Sequence, residues 1–215
     1  MKAVKLQLAT RTLLNPGAVQ WDKVPVEEVR LAGMPVHLQP SRYIRTVWAD
    51  RTVGAARFLS VKAAHNSRDI IFRLEWADET ENRDYANGSA FPDAAAVIFP
   101  LNGDAPLETM GSPKAPVNAW HWRANFEEDA AENLVSRGLG TEEATGNGSL
   151  KARAKWSDGR WRVIFVGPLT VGERQTVRFK SGKPVKVAFA VWEGSNQERA
   201  NLNAYSKEWR DLIVE

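Results

Sequence analysis

The chain has 215 residues, 43% of them hydrophobic and 26% charged, with a formal net charge of +3. That composition supports a packed core, argues against wholesale disorder, and contains no Lys/Arg block long enough to form a nucleic-acid stripe. Cysteine is absent, which excludes disulfides, thiolate metal sites, iron–sulfur ligation, covalent c-type haem attachment and a Cys nucleophile.

Lys2 to Ala9 alternates polar and apolar like a first strand. It shows neither the apolar core nor the cleavage site of a secretory signal. No run of about 18 apolar residues offers a membrane span. Asn15-Pro16-Gly17 is a turn. Val26 to Leu38 alternates but is broken by Gly33 and Pro35, which predicts two short strands or an edge strand. Ala55 to Ala64 and Asp69 to Ala77 are expected to pair as a hairpin across His65-Asn66-Ser67-Arg68. Asp78 to Asn87 is polar and acidic and reads as a surface loop. Ala94 to Phe99 is a short apolar run closed by Pro100, consistent with a buried strand, and Val117 to Ala124 follows as another.

A helix is expected from Phe126 to Arg137. Asn125 offers an N-cap, Glu127, Glu128 and Asp129 place acids in the first turn, and Gly138 ends it. Thr141 to Gly148 is a loop. Leu150 to Trp156 and Arg160 to Val166 flank Ser157-Asp158-Gly159, a hairpin with Asp-Gly at its turn. Thr176 to Phe179 is expected as a short strand and Val185 to Trp192 as a central one. A polar loop from Glu193 to Asn203 follows, and Tyr205 to Val214 closes the chain as a strand or extended segment. With no repeat or linker, residues 1–215 are expected to form a single-domain, all-β sandwich of about ten strands with one or two short helices.

No self-sufficient active site is visible, so the chain is not expected to be an enzyme by itself. His37, His65 and His121 are not at metal-ligand spacing, and no nucleophile elbow, P-loop or dinucleotide fingerprint occurs. His121 lies between Trp120 and Trp122 on an alternating strand and must face away from both. Nine Trp suit either a sandwich core or the walls of a site for a flat aromatic ligand or a carbohydrate. Met110-Gly111-Ser112-Pro113 puts a thioether on a bent backbone beside two Trp. Met110 there is either a gap filler in an aromatic core or an axial ligand to a haem.

Two stretches together carry a family resemblance. One runs from Thr109-Met110-Gly111-Ser112-Pro113 to Pro116-Val117-Asn118-Ala119-Trp120-His121-Trp122-Arg123-Ala124. The other is Val187-Ala188-Phe189-Ala190-Val191-Trp192-Glu193-Gly194-Ser195-Asn196-Gln197-Glu198-Arg199. Both resemble the haem-binding γ subunit of ethylbenzene dehydrogenase and its relatives among the type II enzymes of the dimethyl sulfoxide reductase family. The segments Ala63 to Asn66, Arg73 to Ala77 and Phe99-Pro100 fit the same comparison.

The resemblance implies a β-sandwich holding one non-covalent b-type haem with a Met and a Lys as axial ligands. It also implies an electron relay between an iron–sulfur β subunit and an external carrier, with substrate chemistry on a molybdopterin α subunit. Met110 matches the Met ligand, and Asn118, Trp120, Trp122, Phe189, Trp192 and Asn203 are the expected cofactor-binding positions. The position of the Lys holds Asn203. Lys207 four residues on, Lys183 or Lys186, an open or water-bound iron, and loss of haem are the alternatives. Family relatives reach the periplasm with the catalytic subunit, so that location is expected, with the cytoplasm as the alternative. The competing readings are a haem-free structural subunit of such a complex and a carbohydrate-binding β-sandwich.

Overall fold

The computed structural model describes residues 1–86, 88–146, 149–169, 177–179 and 182–215. Among these residues fourteen strands run in chain order, beginning β1 (Lys2–Lys5), β2 (Glu27–Arg30), β3 (Ala32–Gly33), β4 (Phe58–His65), β5 (Asp69–Ala77), β6 (Ala94–Pro100) and β7 (Val117–Arg123). They continue as β8 (Glu132–Ser136), β9 (Glu143–Ala144), β10 (Lys151–Ser157), β11 (Arg160–Pro168), β12 (Val185–Trp192), β13 (Ala204–Tyr205) and β14 (Arg210–Val214). The α-helices among the described residues, Thr10–Leu13 and Arg42–Val47, are short. The all-β sandwich read from the sequence is the fold found.

Eleven of these strands follow one hydrogen-bonded path, β10-β11-β5-β4-β1-β14-β12-β6-β7-β8-β9, while β2 pairs with β4 and β13 pairs with β12 and β3. β1 runs parallel to both of its neighbours, β4 and β14, and so joins two antiparallel halves. The halves pack face to face. Phe72 of β5 lies 6.1 Å from Trp120 of β7 and 6.5 Å from Phe189 of β12, and Trp122 lies 5.0 Å from Trp161, all edge-on or tilted as ring quadrupoles favour.

Each half also buries its outer face, which is why its strands read as continuous apolar runs rather than strict alternations. On one side Leu13, Leu14 and Trp21 cover Ile71 and Ile164. On the other, Met34, Trp48 and Met110 cover Ala94, Ala96, Ala119, Ala188 and Ala190. Alternation fixes the division. Val97, Trp120 and Phe189 point into the central core, while Ala96, Ala119 and Ala190 point outward.

The hairpin of β10 and β11 turns at Asp158 (φ 56°) and Gly159 (φ 66°), the paired positive φ that an Asp-Gly turn supplies. Three sequence expectations need correction. No helix spans Phe126 to Arg137, because Asp129 takes φ 63° and residues 132–136 are β8, paired antiparallel with β7. Asn133 and Val135 are the buried residues that pairing orients inward, and tertiary pairing outweighs a good helix start. The acids serve another purpose: Arg153 donates Nε and Nη2 to the Asp129 carboxylate at 2.7 and 2.8 Å. The loop from Asp78 is not wholly on the surface, since Asp78 is buried. The strand expected at Thr176 to Phe179 is not formed at 177–179. Thr176, like Asn87 and the Asn147-Gly148 end of the Thr141 loop, lies outside the described residues.

Candidate functional site

The alanines of the outward face leave a hollow. Side chains end at Cβ at Ala94, Ala96 and Ala119, and above them lies a cavity of about 480 Å3, within the size range of ligand sites. Met110 and Leu134 add apolar lining, Trp192 a flat wall, and Arg123 and Arg199 basic groups.

Met110 reaches the cavity from a distorted backbone. It ends the 3₁₀ turn Leu107–Thr109 in the left-handed region at φ 53° and ψ 46°, a conformation costing a non-glycine residue on the order of 1 kcal/mol. The surroundings enforce it. Gly111 N donates to Pro106 O at 2.8 Å, and Ser112 and Ala115 exchange backbone bonds at 2.9 and 3.1 Å. Gly111 has φ 88°, and a Cβ there would meet Ala115 O at 2.9 Å and Ser136 O at 3.0 Å, so the bend next to Met110 tolerates only glycine.

Asn203 reaches the same cavity from the end of the polar loop after β12. Its carbonyl accepts from Met34 N at 2.8 Å, and its side chain is buried with Oδ1 lacking a hydrogen-bond partner. Tyr205 Oη donates to Glu108 Oε1 at 3.4 Å, linking the Met110 turn to the strand beside Asn203. The loop itself is pinned by Glu198, wholly buried, whose carboxylate accepts from Gly54 N, Ala55 N, Glu193 N and Asn196 Nδ2 at 2.7 to 3.1 Å. Trp192 Nε1 donates to Ala200 O at 2.7 Å, which holds the indole against the loop.

His121 also lines the cavity. Its Nδ1 lies 3.1 Å from Glu132 Oε2 on the adjacent strand, and its ring meets Trp192 edge-on at 5.4 Å. The bond to His121, and the charge beside it, hold the Glu132 carboxyl below the usual carboxylate range. Arg123 lies over the Phe126 ring at 4.6 Å and Arg199 over Phe91 at 4.2 Å, so both guanidiniums are placed by aromatic faces. Arg123 donates one N–H to Tyr85 Oη at 3.2 Å, while its Nε is buried without a partner.

Of the sequence-predicted positions, the fold brings Met110, Trp192 and Asn203 together here. Asn118, Trp120, Trp122 and Phe189 face the other way. Trp120, Trp122 and Phe189 pack in the central core, and Asn118 donates to Asn133 Oδ1 and Leu134 O at 2.6 and 2.9 Å. Lys207 is exposed and does not line the cavity. His121 faces away from Trp120 and Trp122 as its alternation requires, while Arg123 and the alanine floor carried no expectation from the sequence. The signal was present: residues 119, 121 and 123 alternate with Asn118, Trp120 and Trp122, so they share the face opposite to the Trp.

Behind Trp192 lies a second polar group. Asp78, Asp93 and Glu193 are buried with carboxylate oxygens within 4.8 Å of one another, the one acid cluster among the described residues placed to hold a metal ion. Asp93 is already satisfied, accepting from Gly194 N, Asn82 N and Trp161 Nε1 at 2.8 to 2.9 Å. Burial raises the proton affinities of Asp78 and Glu193, helped at Asp78 by the charge of Asp93 and at Glu193 by that of Asp78, the latter group to about 7. Asp78 Oδ2 and Trp76 Nε1 are buried without partners.

The sequence model of the ethylbenzene dehydrogenase family matches residues 18–148 and 134–204. The chain belongs to that family. Among the relatives of this ethylbenzene dehydrogenase family member is the Haloferax mediterranei protein named "Putative respiratory nitrate reductase heme subunit ORF7". It is 34% identical over 91% of the chain, which spans 66% of that protein's length. The chlorate reductase subunit gamma of Ideonella dechloratans is 32% identical over 96% of the chain and 82% of its own length. The fold is also that of a family 9 carbohydrate-binding module from Caldicellulosiruptor kristjanssonii, solved with glucose. It aligns over 100% of the chain and 95% of its own length with a TM-score of 0.56 and 10% identity. That likeness is one of fold alone. Among the described residues no Trp is exposed to form a sugar platform.

Proposed function

We propose that the chain is a non-catalytic subunit of a multi-subunit molybdenum oxidoreductase. In this reading it carries one b-type haem in the alanine-floored cavity and relays electrons between an iron–sulfur subunit and an external carrier. One relative is named as a haem subunit and another as a gamma subunit of a reductase, and both names support it. The observation that carries the reading is the cavity itself. A flat apolar floor, a thioether on an enforced bend and two guanidiniums together suit a planar apolar ring system with anionic side groups.

The residues present fit such a group. Met110 would supply a thioether to the iron, which favours the ferrous state and raises the potential. Ala94, Ala96 and Ala119 would admit the ring edge, Trp192 would stack beside it, and Arg123 and Arg199 would take its carboxylates. The orphaned Oδ1 of Asn203 and Nε of Arg123 are the buried polar atoms that a bound group would satisfy. When bound, haem supplies one-electron transfer, while the chain positions it and keeps water from it.

The substrate chemistry belongs, in this reading, to another subunit, and export to the periplasm would follow that subunit's signal. The test is an absorption spectrum of the protein purified with its partner subunits, first oxidised and then reduced with dithionite. Sharp α and β bands on reduction are expected. Their complete absence from a folded complex would leave the haem-free structural subunit as the correct reading.

A further inference from the structure

We infer that the iron of a haem held here keeps one axial position for an exchangeable small ligand, and that Asn203 is the residue that holds that ligand. This rests on the haem reading above. The argument begins with the donors in the cavity. Among its lining residues there is no lysine and no cysteine. Met110 is the one thioether. Of the carboxylates, Glu198 is consumed by N–H groups from Gly54, Ala55, Glu193 and the Asn196 side chain, Glu132 is paired with His121, and Glu142 is exposed and accepts from Gly140 N at 3.3 Å. His121 is a nitrogen donor whose Nδ1 is taken by Glu132 and whose ring is packed edge-on against Trp192 and Phe126; Nε2 is the donor it could still offer an iron, so the His121→Ala variant separates that case from an open position.

Asn203 is different. An amide is a weak ligand for iron and a good hydrogen-bonding group for something bound to iron. Its Oδ1 is buried without a partner while the residue itself is 2% exposed. Exchanging the amide's O and N would leave a buried donor unpaired in place of an acceptor, so the vacancy does not depend on that assignment. Leaving a buried acceptor unpaired is unfavourable, and a bound hydrogen-bond donor would relieve it. A water on the iron would donate to it at rest. A neutral diatomic such as carbon monoxide would replace that water on the ferrous ion and feel the amide dipole. The backbone of Asn203 is fixed by the bond from Met34 N and by β13, which pairs with both β12 and β3, so the amide springs from a backbone position that needs no ligand to set it.

The experiment is to add carbon monoxide to the dithionite-reduced, haem-loaded chain in its complex. Native protein is expected to show a Soret shift complete on mixing and saturable. Asn203→Ala should still bind carbon monoxide, but with a changed C–O stretching frequency and faster release, which a merely structural role would not alter. Asn203→Lys should close the site by supplying an amine, abolishing the Soret shift. A native ferrous haem indifferent to carbon monoxide would overturn the inference. If His121→Ala then restored binding, the second ligand would be His121. An unchanged C–O frequency in Asn203→Ala would also overturn the role of Asn203. Failure of the native complex to hold haem at all would instead overturn the reading on which the inference rests.

Discussion

Glu198 and Gly54, 144 residues apart, are joined by a 2.7 Å bond from the backbone N–H of the glycine to a wholly buried carboxylate. The same carboxylate collects Ala55 N, Glu193 N and Asn196 Nδ2, so one side chain fixes the loop that ends in Asn203. Glu198→Ala would leave several buried N–H groups unpaired at roughly 1–3 kcal/mol each. The expected loss is about 3 kcal/mol, or a fall in Tm of roughly 6–12 °C for a chain of this size. Glu198→Gln keeps an acceptor oxygen and should lose less than half of that. Thermal denaturation of the two variants checks both, and equal losses would mean that the anion rather than its acceptors matters.

If the cavity holds haem as proposed, Met110 is the residue on which its retention should turn. Met110→Ala removes the thioether while leaving the bend, which Gly111 and the Ser112–Ala115 bonds impose. The expected result is lower haem occupancy or a displaced α band, with Tm reduced by a few degrees, since a residue bordering a cavity loses less than the ~2–5 kcal/mol of a fully packed Met→Ala change. Unaltered reduced-minus-oxidised bands at full occupancy would remove Met110 from the iron.

The division of Trp120 and Ala96 between two faces of the sheet predicts opposite phenotypes. Trp120 packs against Phe99, Phe72 and Phe179 and against Gly167, where a Cβ would come within 2.3 Å of its ring. Trp120→Ala should cost about 3–5 kcal/mol yet leave the haem spectrum of the folded protein unchanged. Ala96→Phe should do the reverse. It fills the cavity floor, abolishes haem binding and shifts Tm by a few degrees at most. Loss of haem from Trp120→Ala at a temperature where the chain remains folded would show that the two faces are not independent.

That pair also marks how far the sequence alone reached. β5 and β12 run as the alternation and apolar runs predict, over Asp69–Ala77 and Val185–Trp192, because propensity, pattern and burial agree there. The sandwich and the Met110 bend were legible for the same reason. The resemblance implied cofactor contacts at Trp120, Trp122, Phe189 and Trp192, of which Trp192 alone lines the cavity, whereas the cavity floor is made by what is small. An alanine floor has meaning only once that same face is known to be covered by Met34, Trp48 and Met110. The missing helix at Phe126 to Arg137 has a comparable cause. Acids that suit a helix start suit Arg153 equally well, and the partner lies 24 residues away in sequence.

The acid trio behind Trp192 predicts a pH dependence whose sign is fixed by linkage. Burial lifts the proton affinity of Glu193 to about 7 and that of Asp78 to about 6, whereas in the unfolded chain both carboxyls release protons near pH 4. Between these limits the folded chain binds more protons than the unfolded one, so this pair makes stability fall as pH rises from about 4 to 7. His65, whose proton affinity burial depresses below 6.5, acts oppositely below that pH. Glu75 and Glu132, held low by Arg and His partners, lose their contribution only as pH falls below the range of unfolded carboxyls. The diagnostic is therefore the difference between the native chain and Glu193→Gln. The glutamine amide would donate to Asp78 Oδ2, which now lacks a partner, and would remove one buried charge. The variant should match the native chain near pH 5 and exceed it at pH 8 by about 1 kcal/mol, or roughly 2–4 °C in Tm. A constant difference between the two across pH 5 to 8 would mean that Asp78 and Glu193 do not share a proton in the folded state.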